Sequence, residues 1–318
     1  MARILVLSGT FLGLVAGLNY VVNPFGLFAP RAVEPILLHS RAEKLRLLEA
    51  APPPEVVILG SSPSFTMSPA YVTQKTGLRA FNASVHGASP RDYEALLRYM
   101  LAHRVVPRAL IVALSFEQIR PGARVGFEPH DPLGPYLSGG RAPSRLGEAS
   151  SLLALDQTDA SLRALWATLQ GRAEPFYHFD PDGRGHFARR GSVDLQDALA
   201  EARAAIPNLR LENLGPAQWG HLQALLEECR RRGIGVIVYL PPYHPRLTEL
   251  WEARTSLLVI KERLLGRLSA YSPEPLLGVH DFTHVESFGG SPTLFQDTRH
   301  PDEEANRLML DVLLRDLR

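Results

Sequence analysis

The chain has 318 residues, with 34 Lys+Arg against 33 Asp+Glu and a formal net charge of +1, a balance that lacks the basic surplus of a dedicated nucleic-acid binder. Hydrophobic residues make up 45% and charged residues 21%, which excludes global disorder and leaves ample length to bury a core. The lone Cys229 excludes an intramolecular disulfide framework and any zinc site built from several thiolates.

In chain order, residues 4–22 carry no charge and match the ~20 residues needed to cross a bilayer. Tyr20 and the Asn23-Pro24-Phe25-Gly26 segment suit a helix leaving a membrane interface, and no small-x-small cleavage site follows. The expectation is a transmembrane anchor or signal-anchor over 1–23. Arg3 on one side and Arg31, Arg41, Lys44 and Arg46 on the other do not orient it by charge. Residues 24–54 read as a linker with one amphipathic helix (36–48), closed by Pro52-Pro53-Pro54.

Beyond that tract the pattern becomes regular. Val56-Val57-Ile58-Leu59 is a short β-branched run bounded by Pro54 and Gly60, the mark of a buried strand. Residues 78–81, 109–114, 234–240 and 277–282 read as further strands. Helical patterns cover 92–103, 217–232, 247–268 and 302–317. Such alternation predicts an α/β fold: a three-layer α/β/α sandwich with a mostly parallel central sheet, its ligand beyond the carboxyl ends of the strands. Residues 118–213 interrupt the alternation, with a helix at 150–169 and a turn at 176–183. An insertion of that length at the active edge is read as a lid, a substrate groove or a packed surface subdomain.

Three motifs fall at strand ends. Gly60-Ser61-Ser62-Pro63 follows the first strand and offers a serine nucleophile at a strand-to-helix turn, where a helix N-terminus would favour an oxyanion. A plain N-cap with Pro at the first helical position accounts for the same residues. Asn82-Ala83-Ser84-Val85-His86-Gly87 follows the second strand and offers a glycine N–H. Asp297-Thr298-Arg299-His300-Pro301 precedes the last helix and offers an imidazole base with a carboxylate to orient it.

Together the three resemble the SGNH (GDSL-like) hydrolase family of esterases, lipases and acyltransferases, whose fold is flavodoxin-like. Gly60-Ser61-Ser62 stands where that family has Gly-Asp-Ser, with Ser61 replacing Asp. Asn82 to Gly87 matches the Asn-Ala-Ser-x-x-Gly block, and Asp297, His300 and Pro301 match the last block. The Gly-x-Asn-Asp block is absent, and Ala113-Leu114-Ser115-Phe116 stands in its place. The resemblance covers 55–117 and 234–318, giving a catalytic domain over 55–318 with the insertion at about 118–213.

The resemblance implies Ser62, Asp297 and His300 as catalytic residues. It implies an oxyanion hole from Ser62, Gly87 and Ser115, with Gln118 as an alternative to Ser115. Asn82, Tyr243 and His244 are the expected substrate-lining residues. The implied function is a serine esterase or O-acyltransferase acting on an acylated cell-envelope or exopolysaccharide carbohydrate, or on a small ester. The implied setting is the family's membrane-anchored, envelope-associated branch, with the catalytic domain periplasmic or extracytoplasmic and a membrane-bound O-acyltransferase system as partner. No cofactor, metal or nucleic acid is called for. The alternative is a catalytically silent SGNH-like protein that binds glycan or scaffolds a membrane complex.

An α/β-hydrolase elbow is excluded on the residues. That fold takes an oxyanion donor from the residue after the nucleophile, which here is Pro63 and has no N–H.

Overall fold

β-branched side chains lose χ1 freedom in a helix and pack well on a pleated surface, which favours the extended state for short runs rich in them. In the computed structural model, which describes residues 2–26, 33, 35, 38–122, 131–137, 152–171, 175–187, 194–206 and 213–317, five runs form one sheet. These are Val56–Leu59 (β1), Ala80–Asn82 (β2), Ala109–Ala113 (β3), Gly235–Leu240 (β6) and Leu276–Asp281 (β7). A separate antiparallel hairpin pairs Tyr177–Phe179 (β4) with Gly185–Phe187 (β5). The sheet runs β2-β1-β3-β6-β7, and every neighbouring pair is parallel. That is the order of a doubly wound sheet whose switch point lies between β1 and β3.

Alternate side chains of each strand supply two cores. Val57, Leu59, Leu110, Val112, Val236 and Val238 face one side. There they meet Pro90–Ala102 (α4), Pro216–Arg232 (α8), Pro245–Arg254 (α9) and Leu257–Leu268 (α10). Val56, Ile58, Ile111, Ala113, Ile237 and Tyr239 face the other. Val72 of Pro69–Thr76 (α3) and Ala305, Met309 and Leu310 of Glu303–Leu313 (α11) cover them. The result is the expected three-layer α/β/α sandwich.

The structure departs from the sequence reading in several places. The helix read over 247–268 is two helices, because Thr255 turns extended between them. Its hydroxyl donates to the Trp251 carbonyl at 2.5 Å and accepts from Leu257 N–H at 3.3 Å, a local bonding pattern that competes with helix continuation. The last helix ends at Leu313 and tightens into a 3-10 turn over Leu314–Leu317. Phe116–Ile119 (α5) straddles the start of the insertion, and Leu155–Leu169 (α6) and Leu195–Ala205 (α7) lie within it. The last of these has its N-terminus capped by Asp194. The expected helix start at 150 falls outside the described residues, as do 36 and 37 of the helix read before Ser40–Ala50 (α2).

The N-terminal anchor is corrected. Ala2–Val22 is a helix (α1), but its last turns belong to the protein body. Asn19 is fully buried, and its amide donates to the Leu152 carbonyl and to Thr158 Oγ1, both at 2.8 Å, on and beside α6. Ser8, Thr10, Asn19 and three glycines (Gly9, Gly13, Gly17) dilute its apolar side chains. Among the described residues no helix is long and apolar enough to cross a membrane. The membrane-anchored, extracytoplasmic placement therefore does not stand.

The stretch read as a linker sends α2 into the core through Leu45, Leu47 and Leu48. The same helix buries Lys44, at 1% exposure. Its ammonium donates to the Asn82 carbonyl at 2.7 Å and to the Gly183 carbonyl, and lies 4.1 Å from the centre of the Phe179 ring. Gly183, in the hairpin turn at φ +82°, must be glycine, since a Cβ there would sit 2.2 Å from the Asn82 carbonyl oxygen.

Burial holds the Lys44 pKa well below its ordinary value, and the nearby Asp182 and Glu43 only partly offset this. Between the folded value and the unfolded ~10.4 the unfolded chain binds more protons, so Lys44 makes the protein more stable as pH rises through that window. The slope is at most ~1.4 kcal/mol per pH unit. Lys44→Met should remove this slope and leave two carbonyls without donors, at a cost of ~1–3 kcal/mol. Urea midpoints of both proteins from pH 6 to 9 check it: the wild-type advantage should grow with pH, and parallel profiles would contradict it.

Candidate active site

The carboxyl ends of β1, β2 and β3 open onto a cleft of about 510 Å³. After β1 the chain makes a sharp turn at Gly60, where no side chain fits: a Cβ would stand 2.3 Å from Ser64 Oγ and 3.2 Å from the Ala113 Cβ. Ser62–Ser64 then forms a single 3-10 turn with Pro63 inside it, and α3 starts only at Pro69. A three-residue turn has no appreciable macrodipole, so the expected help of a helix N-terminus is corrected. Oxyanion binding at this turn must come from individual N–H groups.

Three side chains fix the turn. Asn82 Nδ2 reaches the carbonyls of Ser64 (2.8 Å), Phe65 (3.2 Å) and Met67 (2.9 Å). Asn306 Nδ2, from α11, donates to the Pro63 carbonyl at 3.2 Å and to Thr66 Oγ1 at 2.6 Å. Ser64 Oγ meets the Tyr239 hydroxyl of β6 at 2.8 Å. Ser61 and Ser62 both line the cleft, and Ser62 is the one that bonds the imidazole.

The last loop brings the base to it. Ser62 Oγ lies 2.8 Å from His300 Nε2, and His300 Nδ1 lies 2.8 Å and 2.9 Å from the two carboxylate oxygens of Asp297. A neutral imidazole carries one ring N–H. With that proton on Nδ1, facing the carboxylate, Nε2 is the acceptor for the Ser62 hydroxyl. Asp297 Oδ1 also accepts the Arg299 N–H (2.7 Å) and the His300 N–H (2.8 Å). The loop is pinned across its base by Gln296 N–H to the His300 carbonyl and Asp302 N–H to the Leu294 carbonyl, both at 2.9 Å. The Phe187 ring of β5 packs edge-on against the imidazole, with centroids 5.4 Å apart.

Gly87 lines the same cleft at φ +61°, a conformation that favours glycine. Neither the Ser62 N–H nor the Gly87 N–H donates to any described residue. Ser115, at the head of α5, and Gln118 also line the cleft. Tyr243 forms part of its buried wall, and burial raises its pKa far above the usual phenol range. His86 stands at the rim. Burial first, then the nearby His300 and Arg41, push its imidazole below its ordinary value.

Two expected substrate-lining residues do not line the cleft. Asn82 is fully buried and turned toward the backbone of the nucleophile turn. His244 caps α9, its Nδ1 accepting the Arg246 N–H at 3.2 Å, and packs on Phe295. Each has a nearer unsatisfied partner than a substrate would offer.

Sequence reasoning missed Asn306, Phe187 and Arg120. Phe187 reaches the site from a hairpin distant in the chain, and Arg120 and Asn306, though near Gln118 and His300 in sequence, stand in no motif. Arg299 and Glu117, which pair at 3.4 Å across the cleft, were visible only as neighbours of motif residues. Among the described residues no cluster of His, Cys, Asp and Glu could hold a metal ion.

No family model and no curated protein matches the chain. Eleven chains of solved structures match. One is described as a "putative lipolytic protein of G-D-S-L family from Desulfitobacterium hafniense DCB-2", 14% identical, with a TM-score of 0.37 over 82% of this chain and 98% of that one. The fold and site described above rest on this chain's own geometry.

Gly60→Ala should destabilise the protein by ~1–3 kcal/mol, since Ser64 is held by Tyr239 and cannot yield. Denaturant midpoints check it. An unchanged midpoint would mean that the turn relaxes freely.

Proposed function

We propose that the protein is a serine esterase or O-acyltransferase that works through Ser62, His300 and Asp297 on an acylated carbohydrate or a small ester. The observation that carries this reading is the continuous pair of contacts from Ser62 Oγ through His300 to the Asp297 carboxylate, open to a cleft.

Ser62 Oγ attacks the acyl carbonyl carbon while His300 Nε2 takes its proton. The carbonyl oxygen becomes an oxyanion that the Ser62 and Gly87 N–H groups can bind, with Ser115 or Gln118 beside them. Each such donor is worth ~3–4 kcal/mol in the transition state. Asp297 steadies the imidazolium. His300 then returns the proton to the departing alcohol, leaving an acyl ester on Ser62. Water or a sugar hydroxyl, deprotonated by His300, attacks that ester and restores the serine. Pro63 does not obstruct the reaction, because the nucleophile's own N–H is used rather than that of the next residue.

Ser62→Ala should abolish ester turnover and labelling by a fluorophosphonate probe, with folding intact, while Ser61→Ala and Ser64→Ala keep the label on Ser62. His300→Ala should cost nearly as much as Ser62→Ala, and the double variant little more, as triad members act as a unit. Asp297→Asn should cost less than His300→Ala. Turnover of a para-nitrophenyl acetate near the wild-type rate in His300→Ala, or a mapped label on another serine, would remove this triad; no turnover and no label in the wild type would leave a glycan-binding protein without catalysis.

A further inference from the structure

The cleft holds more charge than ester cleavage needs. Besides the triad it is lined by Arg120, Arg299, Glu117 and Glu201. Arg299 gives its Nε to Glu117 Oε1 at 3.4 Å and lies over the Trp251 ring, so that pair is largely self-satisfied. Glu201 stands exposed on α7.

Arg120 is different. It follows the last residue of α5, and its backbone is locked. The Gly215 N–H donates to the Ile119 carbonyl at 2.6 Å, and a Cβ on Gly215 would lie 2.6 Å from the Arg120 carbonyl oxygen. The guanidinium makes one weak bond, from an Nη to the Pro121 carbonyl at 3.4 Å. Its Nε is buried and without a hydrogen-bond acceptor, and among the described residues no carboxylate lies within ion-pair distance. Arg120 is a permanent cation that lines the cleft, and its guanidinium has a donor without an acceptor and no carboxylate among the described residues to pair with, which suits it to an anionic ligand group.

We propose that Arg120 selects esters that carry a carboxylate, which it binds beside the scissile bond while Ser62 attacks the acyl group. This deepens the esterase reading and rests on it. The planar guanidinium fork matches a carboxylate in two parallel bonds. A monoanion fits better than a phosphate dianion, because the two arginines and two glutamates of the lining cancel and the triad adds Asp297. The cleft, at about 510 Å³, has room for such a group beyond a short acyl chain.

The carboxylate can belong to the alcohol part or the acid part of the ester, and two matched pairs separate these sources. One is para-acetoxybenzoate against its methyl ester; the other is para-nitrophenyl hydrogen succinate against para-nitrophenyl butyrate. With the full chain, kcat/KM for the charged member of one pair should exceed the neutral one by about tenfold. Arg120→Gln should bring that ratio close to one, and Arg120→Lys should keep part of it. A ratio near one in the wild type for both pairs, or a preference unchanged in Arg120→Gln, overturns the inference while the esterase reading stands. If none of the four esters turns over and Ser62 takes no fluorophosphonate label, the esterase reading fails and the inference falls with it.

Discussion

Between the end of β1 and the start of α3 the backbone is neither strand nor helix, and its carbonyl oxygens need donors that no regular element supplies. The Asn82 amide nitrogen takes three of them, so its two N–H bonds are shared among the carbonyls of Ser64, Phe65 and Met67. Its own side-chain oxygen accepts the Ser84 N–H at 3.0 Å. A single buried amide at the end of β2 thereby ties the nucleophile's turn to the loop that presents Gly87. Removing it would take the Asn82 donor from the Met67 carbonyl, at a cost of ~1–3 kcal/mol, and would leave the Ser64 and Phe65 carbonyls only the Met67 and Gly185 N–H groups. The separation of Ser62 from Gly87 depends on this clamp more than on any contact in the cleft itself.

The hairpin of the insertion extends the same logic. The Asn82 N–H donates to the Asp182 carbonyl at 3.0 Å, the Gly185 N–H donates to the Phe65 carbonyl at 2.7 Å, and Lys44 bridges the Asn82 and Gly183 carbonyls. Phe65 sits among Tyr177, Phe179 and Phe187 at centroid distances of 5.3–5.6 Å. This part of the insertion is therefore built into the sheet edge rather than laid over it as a cover. Through Phe187 it also packs edge-on against the His300 imidazole. Behind the Gly87 loop, Asp92 accepts both the Ser89 N–H and hydroxyl while pairing with Arg41 at 2.7 Å. That buried pair stiffens the start of α4 and hence the loop before it. Burial would lower the Arg41 pKa, but Asp92 and Asp131 outweigh it and keep the guanidinium charged.

The sheet was legible because Val56-Val57-Ile58-Leu59 and its counterparts are too short for helices and too apolar for the surface. Ser62, His300 and Asp297 could be singled out in the sequence because their motifs stand after the first strand and in the loop before the last helix, and the structure brings their side chains into contact. What the spacing could not say is which polar residues turn inward. Asn82 stands in a motif yet serves the backbone, since unpaired carbonyls lie nearer than any ligand. His244 reads as a cleft residue beside Tyr243, yet caps a helix that Pro245 starts. The N-terminal run misled for a related reason. The absence of charge over residues 4–22 suits a helix in a bilayer, but Ser8, Thr10, Asn19 and three glycines leave it too little apolar to cross one, and Asn19 bonds to Leu152 and Thr158 of its own chain. Arg120 was invisible, because an unfilled hydrogen bond has no sequence signature.

Pro63 explains why the site is spread over three strands. With no N–H after the nucleophile, one turn cannot bind an oxyanion alone, and the second donor must come from another loop. In this sheet the neighbours of β1 are β2 and β3, whose loops offer Gly87 on one side and Ser115 on the other. Ile58 lies opposite both Asn82 and Ile111, so the three strand ends are level to within two residues. A slip of one residue in either pairing would turn every core side chain of that strand to the wrong face. The hydrophobic cost of such a slip is what fixes Gly87 and Ser115 relative to Ser62. The geometry of the cleft is inherited from the alternation of buried side chains in β1, β2 and β3.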